Sequence, residues 1–153
     1  LLVRELLAAG FRDLTVLEIS ERGIQAGRER LGPRASDVSW IRADVRGLEP
    51  ERTWDLWHDR AVFHFLTEAH DRAAYRKALA DALAPGGQVV LATFGPDGPT
   101  RCSGLEVRRY TPETLSEELG SGFTLEEWSL ELHSTPAGGS QEFLYGRFRQ
   151  GSP

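Results

Sequence analysis

W-D-L-W-H-D-R-A-V-F-H-F-L, residues 54–66, is the stretch whose reading decides this fold. Trp54, Leu56 and Trp57 open it as a buried strand. His58, Asp59 and Arg60 end it on ionisable groups, and His64 follows after a short apolar step. A strand that crosses a core and stops on such a cluster is where an open α/β sheet presents its chemistry. The alternative is an amphipathic segment with an exposed polar end, and the flanking chain has to decide between them.

Composition bounds the answer. The chain has 153 residues, 40% of them hydrophobic and 27% charged, which fits one globular domain. A net charge of −5 argues against nucleic acid as the partner, because phosphate binding needs a basic face. Arginine supplies nearly all the positive charge, and Lys77 is the only lysine. The single cysteine, Cys102, forms no disulfide within the chain and fits a reducing cytoplasm. No apolar run reaches membrane-spanning length, so no membrane partner is expected.

Upstream of the stretch, Leu1–Ala9 reads as an amphipathic helix stopped by Gly10. Residues 14–20 read as a buried strand ending on Glu18. Ser20 caps a helix over Glu21–Leu31, which Gly32-Pro33 terminates. Gly23 and Gly27 weaken that helix by about 1 kcal/mol each relative to alanine, so it has to lean on tertiary contacts. Val38–Asp44 is a further strand ending on an acid.

Downstream, the spacing predicts a helix over Asp71–Leu83, with Tyr75, Ala78, Leu79 and Ala82 on one face. Pro85-Gly86-Gly87 stops it, and Gln88–Phe94 is apolar enough for a strand covered on both faces. Gly95–Gly104 reads as a long polar loop. Thr111-Pro112-Glu113 starts a short helix that Gly120 ends. Phe123–His133 and Gln141–Arg149, joined through Ser134–Gly139, have the signature of an antiparallel hairpin. The whole predicts a doubly wound α/β sheet of Rossmann type, mostly parallel, with a C-terminal antiparallel hairpin, in one domain over residues 1–153.

Two acids at successive strand ends are candidates for chemistry. Glu18 can accept hydrogen bonds from both hydroxyls of a ribose, and Asp44 can take an exocyclic amine while the Val45 N–H meets a ring nitrogen. Each can also be a surface acid at a helix or turn start. No set of His, Cys, Asp and Glu has metal-site spacing, and neither a G-x-S-x-G elbow nor a phosphate-cradling lysine loop occurs.

Four stretches in this order resemble class I S-adenosylmethionine-dependent methyltransferases: L-T-V-L-E-I-S at 14–20, W-I-R-A-D-V at 40–45, the stretch quoted above, and L-A-P-G-G-Q-V-V-L-A-T-F at 83–94. The terminal hairpin is similar to that family's reversed last strand. D-R-A-V-F-H-F-L, followed by R-C-S-G-L and a Thr-Pro helix start, is most similar to small bacterial members of thiopurine- or lysine-methyltransferase type. The resemblance implies S-adenosylmethionine as cofactor and a small molecule or protein side chain as methyl acceptor. It implies Glu18 and Ile19 at the ribose, Asp44 and Val45 at the adenine, and Asp59 and Arg60 beside the methionine part. His64 is the candidate base, with Phe63, Arg101, Tyr110 and His133 lining the acceptor.

In that family a strand and a Gly-rich turn precede the first helix, and here Leu1 already lies in the helix. The expectation is an N-terminally truncated copy that binds cofactor weakly or not at all. Two rival readings are a non-catalytic interaction domain and an NAD(P)-dependent reductase. Against the reductase, no Tyr-x-x-x-Lys pair occurs.

Overall fold

The structure, a computed structural model, describes residues 2–135 and 138–151. The chain divides into two compact units, one up to residue 48 and one from residue 49 onward. Each builds its own sheet.

In the first unit, helix α1 (Leu2–Ala8) precedes strand β1 (Thr15–Glu18), helix α2 (Glu21–Leu31) and strand β2 (Ser39–Arg42). The strands pair in parallel, from Thr15 against Ser39 to Glu18 against Arg42. Their carboxyl ends therefore lie at one edge, carrying Glu18 and, just beyond β2, Asp44. Helix α2 has the bounds the sequence predicts. The Gly23 N–H donates to Ser20 Oγ at 3.3 Å, and the Gly32 N–H returns to the carbonyls of Arg28 and Glu29. The two glycines inside α2 are explained by close approach. A Cβ at Gly23 would lie 2.8 Å from Glu18 Cδ, and one at Gly27 would lie 2.9 Å from the Trp40 ring. The helix gives up roughly 2 kcal/mol of propensity to sit against β1 and β2.

The second unit holds a four-stranded sheet in the order β3-β4-β8-β7: β3 (Trp54–Arg60), β4 (Leu83–Phe94), β7 (Phe123–Ser134) and β8 (Ser140–Gln150). β3 runs parallel to β4, and β8 runs antiparallel to both β4 and β7. The terminal hairpin is thus as expected, although residues 136 and 137 of its connection lie outside the described residues. β4 starts earlier than the sequence suggests. Trp54 pairs with Leu83 and Leu56 with Gln88, so Pro85-Gly86-Gly87 forms an irregularity within the strand rather than a loop before it. The polar loop at 95–104 is also more ordered than expected. Arg101–Cys102 (β5) pairs antiparallel with Leu105–Glu106 (β6) across a turn at Ser103-Gly104, both with positive φ.

Helix α3 (Ala69–Ala82) buries Tyr75, Ala78, Leu79 and Ala82, the predicted face. Helix α4 (Pro112–Leu119) is held at its start by a reciprocal Thr111–Thr114 capping box. Phe63, Tyr75, Leu79, Val89, Leu91, Phe94, Leu115, Leu144 and Phe148 are buried at the centre of this unit. Because side chains alternate along a strand, Trp57 and Asp59 share one face of β3, and His58 and Arg60 share the other. Among the described residues no helix is long and apolar enough to cross a membrane.

Candidate functional site at the strand ends

At the carboxyl end of β1, Glu18 is half-buried. Its Oε1 accepts the Ser20 backbone N–H at 2.8 Å, which orients the carboxylate as the chain leaves the sheet. Glu18 lies on the wall of a cavity of about 260 Å³, with Val3, Val16, Gly23, Arg30 and Trp40 among its lining. Ile19 beside it is 62% exposed, a large apolar side chain left in solvent. One strand over, Asp44 accepts the Arg46 backbone N–H at 2.9 Å and forms an ion pair with the Arg46 guanidinium at 2.5 Å. The side-chain hydrogen bond from Arg46 holds the Asp44 carboxyl below its usual range. Val45 opens the short turn that Asp44 caps. The first unit thus gathers Glu18, Ile19, Asp44 and Val45 at one edge, with Arg46 folded over Asp44.

The carboxyl end of β3 is built differently. Asp59 is 6% exposed and points into its own unit. The Tyr75 hydroxyl donates to Asp59 Oδ2 at 2.7 Å, and the Val62 N–H donates to Oδ1 at 3.1 Å. Trp57 Nε1–H in turn donates to the Tyr75 oxygen at 3.0 Å. Burial raises the Asp59 carboxyl to about 6, against the lowering effect of these donors. Burial also pushes the Tyr75 phenol far above its ordinary value, with the Asp59 charge adding to it. Both Asp59 oxygens are therefore occupied, Oδ1 by the turn after β3 and Oδ2 by Tyr75 on α3. That turn includes Ala61 at φ 67°, a conformation that costs a non-glycine residue roughly 1–2 kcal/mol. The Ala61 N–H bond to the Ala92 carbonyl at 2.9 Å and the Asp59–Val62 bond hold it in place.

Arg60, on the opposite face, is exposed. Its Nε donates to the Tyr145 hydroxyl at 3.1 Å, and its guanidinium lies 4.8 Å from the centre of the Phe143 ring. Ala92 is the register partner of both Arg60 and Tyr145, so the contact crosses two strand pairs.

His64 is fully buried and stacks on Phe94 at 4.2 Å. Its Nδ1 accepts the Phe94 backbone N–H at 3.2 Å, and burial lowers its pKa to about 4. A neutral ring with Nδ1 accepting carries its proton on Nε2. The residue expected as a base is thus a neutral imidazole inside an aromatic cluster, with its accepting nitrogen already occupied.

The expected acceptor residues separate into two groups. Phe63 and Tyr110 are buried, with their rings 5.6 Å apart, and present no surface to a ligand. Arg101 and His133 are exposed. Arg101 donates to the Gly104 carbonyl at 2.7 Å across the β5–β6 turn, and His133 meets the Phe143 ring edge-on at 6.2 Å. Sequence reading missed Tyr75, Phe143 and Tyr145. Tyr75 was legible only as an apolar helix position, because its polar partners lie 16 and 18 residues away.

The family described as "Methyltransferase domain" matches residues 1–87 of the chain. Nodulation protein S of Sinorhizobium fredii (strain NBRC 101917 / NGR234) is 35% identical over 92 residues, covering 58% of this chain. The match spans 41% of that protein, less than half its length. The crystal structure of the N-methyltransferase NodS from Bradyrhizobium japonicum WM9 superposes with a TM-score of 0.76 at 23% identity, covering 97% of this chain and 79% of that one. The 1,6-didemethyltoxoflavin-N1-methyltransferase of Burkholderia thailandensis, solved with its namesake compound and S-adenosylhomocysteine, superposes at 0.73 with 22% identity. It covers 98% of this chain and 66% of that one. The fold is therefore that of the class I methyltransferases.

Proposed function

This chain belongs to the methyltransferase domain family, and from that premise we propose that its function is transfer of a methyl group from S-adenosylmethionine to a small-molecule or side-chain acceptor. The observation that carries the reading is Glu18: an acid at the carboxyl end of a parallel strand, oriented by the Ser20 N–H and standing on a cavity wall. Gly23 supports it, since a side chain there would fill the space against Glu18. A carboxylate acceptor held there suits the two hydroxyl donors of a ribose diol. The two units are read as parts of one methyltransferase domain, because the superpositions run along nearly the whole chain.

When bound, the cofactor supplies an electrophilic methyl on a sulfonium, and the protein's part is to orient the reactants and exclude water. In the first unit Glu18 holds the ribose, with Ile19 beside it. Asp44 and the Val45 N–H are assigned to the adenine, which requires Arg46 to release the Asp44 carboxylate. In the second unit Asp59 acts through the turn it clamps. His64 holds the Phe94 backbone and keeps the aromatic cluster neutral. It serves as a positioning residue rather than a base, because its acceptor nitrogen is occupied and its proton affinity is depressed.

Isothermal titration with S-adenosylhomocysteine, with NADH as the counter-ligand, tests the proposal. Weak binding of the first and none of the second, with the first weakened at least tenfold further in Glu18→Gln, is the expected result. Preference for NADH would overturn the reading.

A further inference from the structure

We propose that Arg60 is the receptor for an anionic group, a carboxylate or phosphate, on the methyl acceptor, an inference that rests on methyl transfer as the function. Several arginines elsewhere in the second unit pair with carboxylates, and Arg101 and Arg109 donate to backbone carbonyls. Arg72 and Arg76 pair with Glu118 at 3.0 and 2.7 Å, and Arg147 and Arg149 both pair with Glu126. Arg60 has no carboxylate within 4.0 Å among the described residues. Its contacts are with neutral groups, the Tyr145 hydroxyl at Nε and the face of Phe143 under the guanidinium. Those contacts fix the plane of the fork and leave both terminal nitrogens without a partner among the described residues. A planar fork with two parallel N–H groups matches a carboxylate or phosphate edge, and a side chain already held loses less entropy on binding.

The position of the clamp assigns the anion to the acceptor rather than to the cofactor. Arg60 lies within the segment matched by the family, residues 1–87. Phe143 and Tyr145, the two side chains it contacts, lie beyond that segment on the terminal hairpin. A methyltransferase family has its cofactor in common, whereas acceptors differ. A clamp built from the part outside the matched segment fits the variable partner.

The test uses benzoate, phenyl phosphate and the isosteric neutral benzamide at low ionic strength, with the Arg60 Nε–Hε resonance as readout. Benzoate and phenyl phosphate are expected to move that resonance saturably, with benzamide at least tenfold weaker. This comparison is made on the unmodified chain and needs no variant. Arg60→Gln is expected to lose at least tenfold in benzoate affinity, followed by calorimetry. Tyr145→Phe, which keeps the charge and frees Nε, is expected to lose severalfold. Equal binding of benzoate and benzamide, or undiminished binding by Arg60→Gln, would overturn the proposal. Benzoate binding retained at saturating S-adenosylhomocysteine supports the acceptor as the source of the anion. Mutual exclusion of the two would assign the anion to the cofactor's own carboxylate and overturn it. A chain that binds benzoate but not S-adenosylhomocysteine would fault the methyl-transfer reading while upholding the anion receptor.

Discussion

Glu18 and Asp59 occupy the same kind of position, an acid at the carboxyl end of a parallel strand, and meet opposite fates. Glu18 is half-buried, takes one backbone hydrogen bond and faces a cavity. Asp59 is buried, has both oxygens satisfied from within its own unit and carries a raised pKa. A strand-end acid is therefore not in itself a ligand site. The facing element decides. A glycine at position 23 leaves room beside Glu18, whereas Tyr75 on α3 fills the space beside Asp59 and supplies a donor.

The sharpest way to break that contrast is Asp59→Ala. The substitution strands a buried hydroxyl and a backbone N–H, at roughly 1–3 kcal/mol each. The ionised wild-type group carries its own penalty, so the cost depends on pH. Its folded pKa of about 6 lies above the unfolded 3.8. The stability it contributes is complete below about 3.8 and is lost as pH rises to about 6, amounting to about 3 kcal/mol. Asp59→Ala is therefore expected to cost about 3 kcal/mol near pH 4 and much less at pH 7, read from urea midpoints at constant m. A cost that does not change with pH would mean that Asp59 is not buried away from water, and the contrast would collapse.

His64 supplies a slope of the other sign. Its folded pKa of about 4 lies below the unfolded 6.5, so its contribution is present above pH 6.5 and is lost as pH falls toward 4. Over the shared window the two groups oppose each other, and their joint effect on wild-type stability is small. His64→Asn keeps an acceptor for the Phe94 N–H and removes the titration. Its stability is expected to fall by up to about 3 kcal/mol as pH rises from 4 to 6. A profile parallel to wild type would show that the imidazole is not a buried neutral group.

A smaller effect isolates the bridge. Tyr75→Phe keeps the ring against Phe63, 4.8 Å away, and removes only the hydroxyl between Trp57 and Asp59. A loss of about 1–2 kcal/mol is expected, with the acid-side slope of Asp59 moved upward because a donor that lowers its pKa is gone. Chemical denaturation at pH 5 and pH 7 distinguishes this from simple loss of packing, which would cost the same at both.

The parts of this contrast that were legible in the sequence are local ones. Helix α2 could be bounded from Ser20 and Gly32, and α4 from Thr111 and Gly120, because caps act within four residues. The terminal hairpin followed from alternation and a turn-rich joint. Glu18 could be singled out because its geometry depends on Ser20, two residues away. The direction of Asp59 was in principle legible too, since alternation places it with Trp57 on the core side of β3. The polar run His58-Asp59-Arg60 masked that signal by suggesting one exposed cluster, when the strand sends Asp59 inward and Arg60 outward. Contacts that cross the sheet, such as Arg60 to Tyr145 at a separation of 85 residues, leave no local mark. The same holds for the glycines of α2, whose apparent weakness makes sense only beside Glu18 and Trp40.

Gly23→Ala gives the smallest effect on stability and the cleanest test of what the first unit is for. Alanine gains about 1 kcal/mol of helix propensity. Against that, its methyl would meet Glu18 Cδ at 2.8 Å, and the flexible end of Glu18 can swing aside. The midpoint of unfolding is therefore expected to hold or to rise slightly, while affinity for S-adenosylhomocysteine falls at least tenfold, because the carboxylate no longer stands where the Ser20 N–H holds it. Gly27→Ala separates the two effects: its methyl presses on the rigid Trp40 ring at 2.9 Å, so overpacking is expected to cancel or outweigh the propensity gain and to leave Glu18 in place. Stability unchanged with binding lost at position 23, and stability lost with residual binding at position 27, would mark Glu18 as the ligand-facing acid of the pair. Full binding by Gly23→Ala would remove that distinction.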